Sequence, residues 1–438
     1  MPPSTLPRTL RQTDLTLLLV GTVIGSGIFL VPGSVLAASG GHVGLALAVW
    51  LVGGVLSLVG ALTYGELGAA NPQAGGLYIY IRDAFGRAPA FLYGWTLFLV
   101  ISSGALATLS VAFAAYAGAF VTLSPAAARA VSVVMIVVIA AINIVGTRRG
   151  ANVQNVTTAV KVGALLVMSA ALLVLGDGLG AARTQEWPAA SAASLMTGVG
   201  AAMIGVLWAY EGWQYVTFSA GEAKDPQRNF PRAMFIGTAA LIGIYLVANI
   251  AYVAALGPEA VATSTRVASD AVGAVLGPGA AMLIAAAILV SIFSAANGLT
   301  LTAPRVYFAM ARDGLFFSRL AEVHPRFGTP AFAIAASALW AIVLATTGTF
   351  EQLLTYVVFT GWIFYALGAM SIFVYRRRQP DGPRPFSVPG YPVTPALFVL
   401  AAAALVLNTV FAQPDRALAG IAIVLLGVPA YLFWRGRA

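Results

Sequence analysis

Long apolar runs joined by short polar connections dominate this chain, and the length of each run predicts its element. A helix needs about 20 mainly apolar residues to cross the hydrocarbon core of a bilayer. Twelve segments fit that template, at approximately 14–38, 43–69, 87–121, 128–147, 153–176, 195–220, 232–256, 278–302, 331–347, 353–375, 393–411 and 416–434. Two are interrupted near their middles. The first is broken by Gly25-Ser26-Gly27 and the sixth by Tyr210-Glu211-Gly212-Trp213. Hydrocarbon offers no partner to a freed N–H or C=O, so unwound backbone at membrane depth survives only where it lines a cavity or holds a ligand. In transporters, half-helix N-termini face anionic groups and unwound carbonyls face cations.

The predicted fold is an all-α polytopic membrane protein of 12 transmembrane helices, with helices 1 and 6 unwound. An interrupted helix followed by four more spans occurs twice, over 14–176 and again over 195–375, which is the five-plus-five pattern of an inverted repeat. An odd number of spans gives the second half the opposite topology, so the two breaks meet near the midplane. Residues 1–13 form the N-terminal segment, and the two helices of 393–434 fall outside the repeat as scaffold or an oligomer contact.

Composition agrees with this reading. Of the 438 residues, 60% are hydrophobic and 9% charged, where soluble domains carry about 25% charged residues. The arginines concentrate in alternate loops, as at Arg82 and Arg87, Arg148 and Arg149, and Arg376-Arg377-Arg378, with only a few such as Arg129, Arg183 and Arg266 opposite them. By the positive-inside rule this puts both termini in the cytoplasm, in a multi-pass protein of the cell's inner membrane. The net charge of +9 thus reports topology. The basic residues form no patch suited to nucleic acid. The first apolar run is too long for a signal-peptide core and lacks a cleavage site, so it is expected to remain as the first span. With no cysteine, a disulfide-linked accessory subunit, thiolate metal sites and cysteine nucleophiles are excluded.

Few residues remain to carry chemistry. Gly21 and Gly25 make a GxxxG that by itself reads as helix packing, but the second break favours an unwound site in which the amides of Ser26, Gly27 and Ile28 hold a carboxylate at a helix start. At the sixth helix, the freed carbonyls of Trp208, Ala209 and Glu211 suit an α-ammonium. Glu211 is the only carboxylate well inside a predicted span, and two readings stand for it: a functional acid, or a protonated structural group. Trp208 is the candidate lid, with Tyr210 and Trp213 as gating or packing aromatics. Lys161 is the only deep cation. It either snorkels toward the cytoplasm or acts as a fixed ammonium in place of a transported sodium, bonded to helix-one carbonyls and the hydroxyls of Ser291 or Ser294. His42 and His324 lie in loops without acidic neighbours. No metal set or catalytic triad can be assembled, so neither a cofactor nor an enzymatic activity is expected.

At these residues the chain resembles the amino acid–polyamine–organocation superfamily, specifically the L-type amino acid transporters and their bacterial relatives. The motifs are Gly21-Thr22-Val23-Ile24-Gly25-Ser26-Gly27-Ile28-Phe29, Tyr64-Gly65-Glu66-Leu67, Gly75-Gly76-x-Tyr78, Lys161 and Ala209-Tyr210-Glu211-Gly212-Trp213. They continue in Asn297-Gly298, Arg305, Ala311-Arg312-Asp313-Gly314 and Arg384-Pro385-Phe386-x-Val388-Pro389-Gly390-Tyr391-Pro392. The resemblance implies a leucine-transporter-type fold and carboxylate binding by the amides around Ser26, Gly27 and Ile28. It also implies amine binding by the carbonyls of Val23, Trp208 and Glu211, with Lys161 replacing sodium. Animal members tend to have glycine where Glu211 stands and use a cysteine-linked accessory glycoprotein.

The function expected from this reading is sodium-independent exchange of neutral L-amino acids by alternating access. The alternatives are a proton-coupled amino acid symporter, with Glu211 or Lys161 exchanging the proton, and a polyamine or cationic amino acid permease, for which further carboxylates would be expected in the pocket.

Overall fold

The structure is a computed structural model that describes residues 6–188, 191–347, 350–412 and 414–436. Its elements are helical, apart from one isolated bridge between Leu10 and Ala223. The first span is two helices, α1 (Gln12–Val23) and α2 (Gly27–Ala38), bent by 50° where they meet. Then come α3 (Val43–Ala70), α4 (Leu77–Phe85), α5 (Arg87–Thr96), a π turn over Leu97–Ile101, and α6 (Ser102–Ala117). The first half closes with α7 (Pro125–Ile144), α8 (Thr147–Leu175) and the short α9 (Leu179–Arg183). In the second half, α10 (Ala192–Ala209) is followed by a 3-10 helix, Trp213–Glu222, and by α11 (Pro226–Leu256), α12 (Pro258–Thr263) and α13 (Val267–Leu276). The chain ends with α14 (Pro278–Thr302), α15 (Pro304–Arg312), α16 (Ala331–Thr347), α17 (Phe350–Arg378), α18 (Val393–Ala412) and α19 (Pro414–Arg435).

Among the described residues nine helices are long and apolar enough to cross a membrane, and the bent α1–α2 pair makes a tenth. The expected spans 331–347 and 353–375 correspond to α16, of 17 residues, and to α17, which stand outside that count. Of the N-terminal segment 1–13, residues 1–5 lie outside the described residues.

Local chemistry sets the helix boundaries. Proline opens α7, α11, α12, α14 and α15, where its missing N–H costs no bond. The side chain of Ser124 accepts from the Ala127 amide to cap α7, and His42 Nδ1 accepts from Leu45 to cap α3. Apolar side chains also cover the outside: Val167 and Val174 on α8 are 71% and 81% exposed. In water such a surface would drive aggregation, whereas against lipid it costs nothing.

Inside the bundle, α3 packs along α11, α10 along α2, and α14 along α8 and α6, while α1 lies among α11, α8 and α14. The arginine-rich end is tied by ion pairs. Arg376 on α17 makes two bonds to the Glu66 carboxylate on α3, at 2.8 and 2.7 Å, and Glu66 also accepts from the Val388 amide at 2.6 Å. This clamp gives a physical role to two motifs far apart in sequence, Tyr64-Gly65-Glu66-Leu67 and the proline-rich stretch from Arg384 to Pro392. Arg305 on α15 donates to both oxygens of Glu222, at 2.6 and 3.1 Å, and to the Thr147 hydroxyl at 2.9 Å. Both partners of that pair are fully buried. The N-terminal segment is laced onto the same region, since the Leu10 amide donates to the Glu222 carbonyl and the Lys224 amide to the Leu10 carbonyl.

Candidate functional site

The α1–α2 bend and the end of α10 face each other across one cavity of about 80 Å³. Val23, Gly25, Ser26 and Gly27 line it from the first break, with Trp208, Ala209, Glu211 and Gly212 opposite. The second break is a change of helix type at a turn over residues 210–212. Gly212 sits there at φ +129°, a backbone conformation open to glycine, and a Cβ on it would stand 3.0 Å from the Thr22 carbonyl. Gly27 takes an ordinary helical conformation, but a Cβ there would stand 2.9 Å from the Ala209 Cα. It therefore allows α2 to approach α10, with the Trp208 ring beside it.

The polar lining is incompletely satisfied. Ser26 Oγ, Thr108 Oγ1, Glu211 Oε2 and the Tyr215 hydroxyl are buried, belong to residues that line the cavity and have no hydrogen-bond partner among the described residues. Buried polar atoms are nearly always paired, so four orphans around one cavity mark a place for a polar ligand. The amides of Gly27 and Ile28 belong to the first turn of α2, where a helix leaves its N–H groups without internal partners. Ile28 itself is buried and does not line the cavity.

The expected carbonyls are partly engaged. Tyr245 on α11 donates to the Ala209 carbonyl at 2.9 Å and to the Val23 carbonyl at 3.4 Å, bridging the two breaks, and the Trp208 carbonyl accepts the Glu211 amide at 3.0 Å. The Glu211 side chain is held from α17. Tyr365 donates to Glu211 Oε1 at 2.8 Å and accepts from Gln214 Nε2 at 2.8 Å, while Gln214 Oε1 accepts the Gly212 amide at 3.1 Å. One carboxylate oxygen is thus fixed and the other faces the cavity.

Lys161 is 1% exposed and does not snorkel. Its Nζ donates to the carbonyls of Gly21 at 2.6 Å, Ile24 at 2.5 Å and Ser291 at 3.4 Å. The hydroxyl partners expected for it are otherwise occupied. Ser291 Oγ donates to the Ile24 and Gly25 carbonyls at 3.0 Å each, and Ser294 Oγ meets Gln154 Nε2 at 3.3 Å and Thr158 Oγ1 at 3.4 Å. An ammonium only donates, so it takes the lone pairs of carbonyls that the end of α1 leaves unpaired, and Ser291 joins it on the same acceptors.

Tyr210 and Trp213 pack behind the site. Tyr210 lies against Tyr245 and Trp50, with ring centroids 4.8 and 5.9 Å away, and Trp213 lies against Tyr64 and Phe398 at 5.2 and 5.8 Å. Gly361 lies outside the cavity lining, a Cβ on it being stopped 3.0 Å from the Tyr365 hydroxyl of its own helix.

Sequence reasoning missed Thr108, Tyr245 and Tyr365. The run Ser102-Ser103-x-x-x-x-Thr108-x-Ser110 in an otherwise apolar span was the one signal that α6 presents a polar face. Nothing local marks the two tyrosines.

A family model described as amino acid permease matches residues 10–428. The serine/threonine exchanger SteT of Bacillus subtilis (strain 168) is 33% identical over 423 residues, covering 96% of this chain and 95% of that protein. The large neutral amino acids transporter small subunit 2 of Homo sapiens is 32% identical over 435 residues, covering 96% of this chain and 79% of its own. The b(0,+)-type amino acid transporter 1 of Mus musculus is 32% identical over 404 residues, covering 91% and 81%. A match spanning nearly the whole chain, on a helical bundle with a bent first span, identifies this protein as a membrane transporter of the amino acid permease family, within the amino acid–polyamine–organocation superfamily, and not an enzyme.

Proposed function

We propose that this chain is a sodium-independent exchanger of neutral L-amino acids that works by alternating access in the cell's inner membrane, with both termini cytoplasmic. The observation that carries the reading is the single cavity where the α2 N-terminus, the α10 end and four unpartnered polar atoms converge. An α-amino acid offers a carboxylate for the amides of Ser26, Gly27 and Ile28. It also offers an ammonium for acceptors around Val23, Trp208, Ala209 and Glu211, and the small cavity suits a compact side chain. The relatives' names, an exchanger of serine and threonine and a transporter of large neutral amino acids, support the substrate class. In this reading Lys161 takes the place of a transported sodium, and residues 14–176 and 195–375 form the inverted repeat of a 12-span, leucine-transporter-type fold, with 393–434 outside it. Lacking cysteine, the chain forms no disulfide with an accessory subunit.

Counterflow in proteoliposomes tests the proposal: labelled neutral amino acid should enter only vesicles preloaded with unlabelled amino acid, equally in sodium and choline media. Uptake into empty vesicles driven by sodium would overturn it. A second reading, proton-coupled symport, is favoured by one observation, the unpartnered Oε2 of Glu211. Accumulation in empty vesicles under an inward proton gradient would select that reading.

A further inference from the structure

A second and larger cavity, of about 630 Å³, opens at the arginine-rich end of the bundle, away from the site between the helix breaks. Three guanidinium groups border it from three distant parts of the chain: Arg8 in the N-terminal segment, Arg82 on α4 and Arg312 at the end of α15. Among the described residues Asp313 is its only bordering carboxylate, and its charge is already spent. Arg82 Nη1 donates to both Asp313 oxygens, at 3.0 and 2.9 Å, and Tyr78 donates to one of them at 2.8 Å. Nearby Asp83 is equally occupied, by Arg82 Nε, Asn71 and Tyr375. Arg8 and Arg312 are exposed, and among the described residues neither has a carboxylate within ion-pair distance. The Arg312 guanidinium lies 5.8 Å from the Phe308 ring centroid, which holds it at the cavity wall without neutralising it.

Positive residues on separate loops satisfy the positive-inside rule individually and repel one another when gathered. Three around one cavity with a single saturated acid leave it a net charge of about +2 by formal count. Guanidinium forks match the oxygens of phosphate, two bonds at a time. We propose that this cavity is a binding site for a phosphate-bearing anion, held chiefly by Arg8 and Arg312, with Arg82 fixed in place by Asp313. Two sources share that chemistry, the headgroup of an anionic phospholipid and free phosphate in solution. The bound anion would tie the N-terminal segment to α4 and α15, the elements that border the buried Arg305–Glu222 pair. The proposal is independent of which amino acid is carried.

The test is thermal stability of the purified full chain in nanodiscs. One arm adds inorganic phosphate to phosphatidylcholine discs, with chloride at matched ionic strength as the control. The other compares phosphatidylcholine with phosphatidylglycerol discs in phosphate-free buffer. Saturating ligand should raise Tm by about 2 °C or more. The shift should vanish in the double variant Arg8→Ala/Arg312→Ala, which leaves Arg82 and its ion pairs intact, and should persist in part in Arg8→Lys/Arg312→Lys. Protection in the phosphate arm alone names free phosphate as the source, and protection in the phosphatidylglycerol arm alone names the headgroup. No protection in either arm, or equal protection of wild type and alanine variant, overturns the proposal.

Discussion

The ammonium of Lys161 lies 2.5 Å from the carbonyl oxygen of Ile24, the residue that ends α1. A helix leaves its last carbonyls without amide partners, and here a lysine from α8 and a hydroxyl from α14 supply the missing donors. Three helices are thereby fastened at the point where the first span bends.

Lys161→Ala would remove charged hydrogen bonds of about 1.5–3 kcal/mol each and leave the Gly21 carbonyl buried and unpaired. Exchange should fall at least tenfold while side-chain preference among the remaining activity is unchanged. Uptake in reconstituted vesicles measures this, and wild-type uptake should be indifferent to replacing sodium with choline. A fully active alanine variant would show that the bridge has no part in the cycle.

Gly27→Val should abolish transport in protein that still inserts, because a Cβ at 27 meets the Ala209 backbone at 2.9 Å and forces α2 off α10. Gly212→Ala should act similarly through backbone strain at φ +129°, costing roughly 1–2 kcal/mol. Detergent-resistant monodispersity on size exclusion, paired with uptake, separates a blocked site from a misfolded one. Normal uptake by Gly27→Val would refute the close-approach argument.

Glu211→Gln keeps the bond from Tyr365 in shape while removing one acceptor from the cavity wall. Loss of one hydrogen bond to a charged group corresponds to roughly a tenfold rise in KM, with maximal exchange rate changed less. Competition by hydroxylated and aliphatic amino acids reads this out. A rise in the dependence of uptake on a pH gradient would run against the expectation, since the variant loses the acid that borders the cavity.

Recognition of the backbone groups predicts that amino acid amides and N-acetylated amino acids compete poorly with their parent compounds. Each lacks one of the two charges that the α2 amides and the facing acceptors would hold. Equal competition would discard that assignment. Trp208→Ala should slow exchange or broaden side-chain selectivity, because the ring borders the cavity beside Gly27. Unchanged kinetics across several substrates would reduce Trp208 to packing.

Much of the site was legible because its residues break a local rule. Glycines and a carboxylate in an apolar run are conspicuous, and Lys161 is a lone cation where hydrocarbon should be. Thr108, Tyr245 and Tyr365 break no such rule, as a threonine or tyrosine within an apolar helix reads as ordinary packing. Their roles arise from α6, α11 and α17 meeting the two breaks in space, which no local window encodes. The Lys161 partners divide: the helix-one carbonyls expected for it accept its bonds, while the hydroxyls of Ser291 and Ser294, also expected, are engaged elsewhere. Among the described residues nine helices, or ten with the bent pair, meet the length and apolarity of a span, and α16, at 17 residues, is shorter than the about 20 a hydrocarbon core calls for.

The buried Arg305–Glu222 pair sets an order on the birth of the molecule. Its partners are 83 residues apart, so at about 5–20 residues per second a ribosome makes the acid some 4–17 s before the base. During that interval Glu222 has no counter-charge, and burying it alone would cost several kcal/mol. The end of the 3-10 helix, the N-terminal segment joined to it through Leu10 and the start of α8 at Thr147 therefore cannot close until α15 emerges. Closure of the arginine-rich end is a late event in biogenesis, and a nascent chain truncated before residue 305 should expose the Leu10–Glu222 segment to protease.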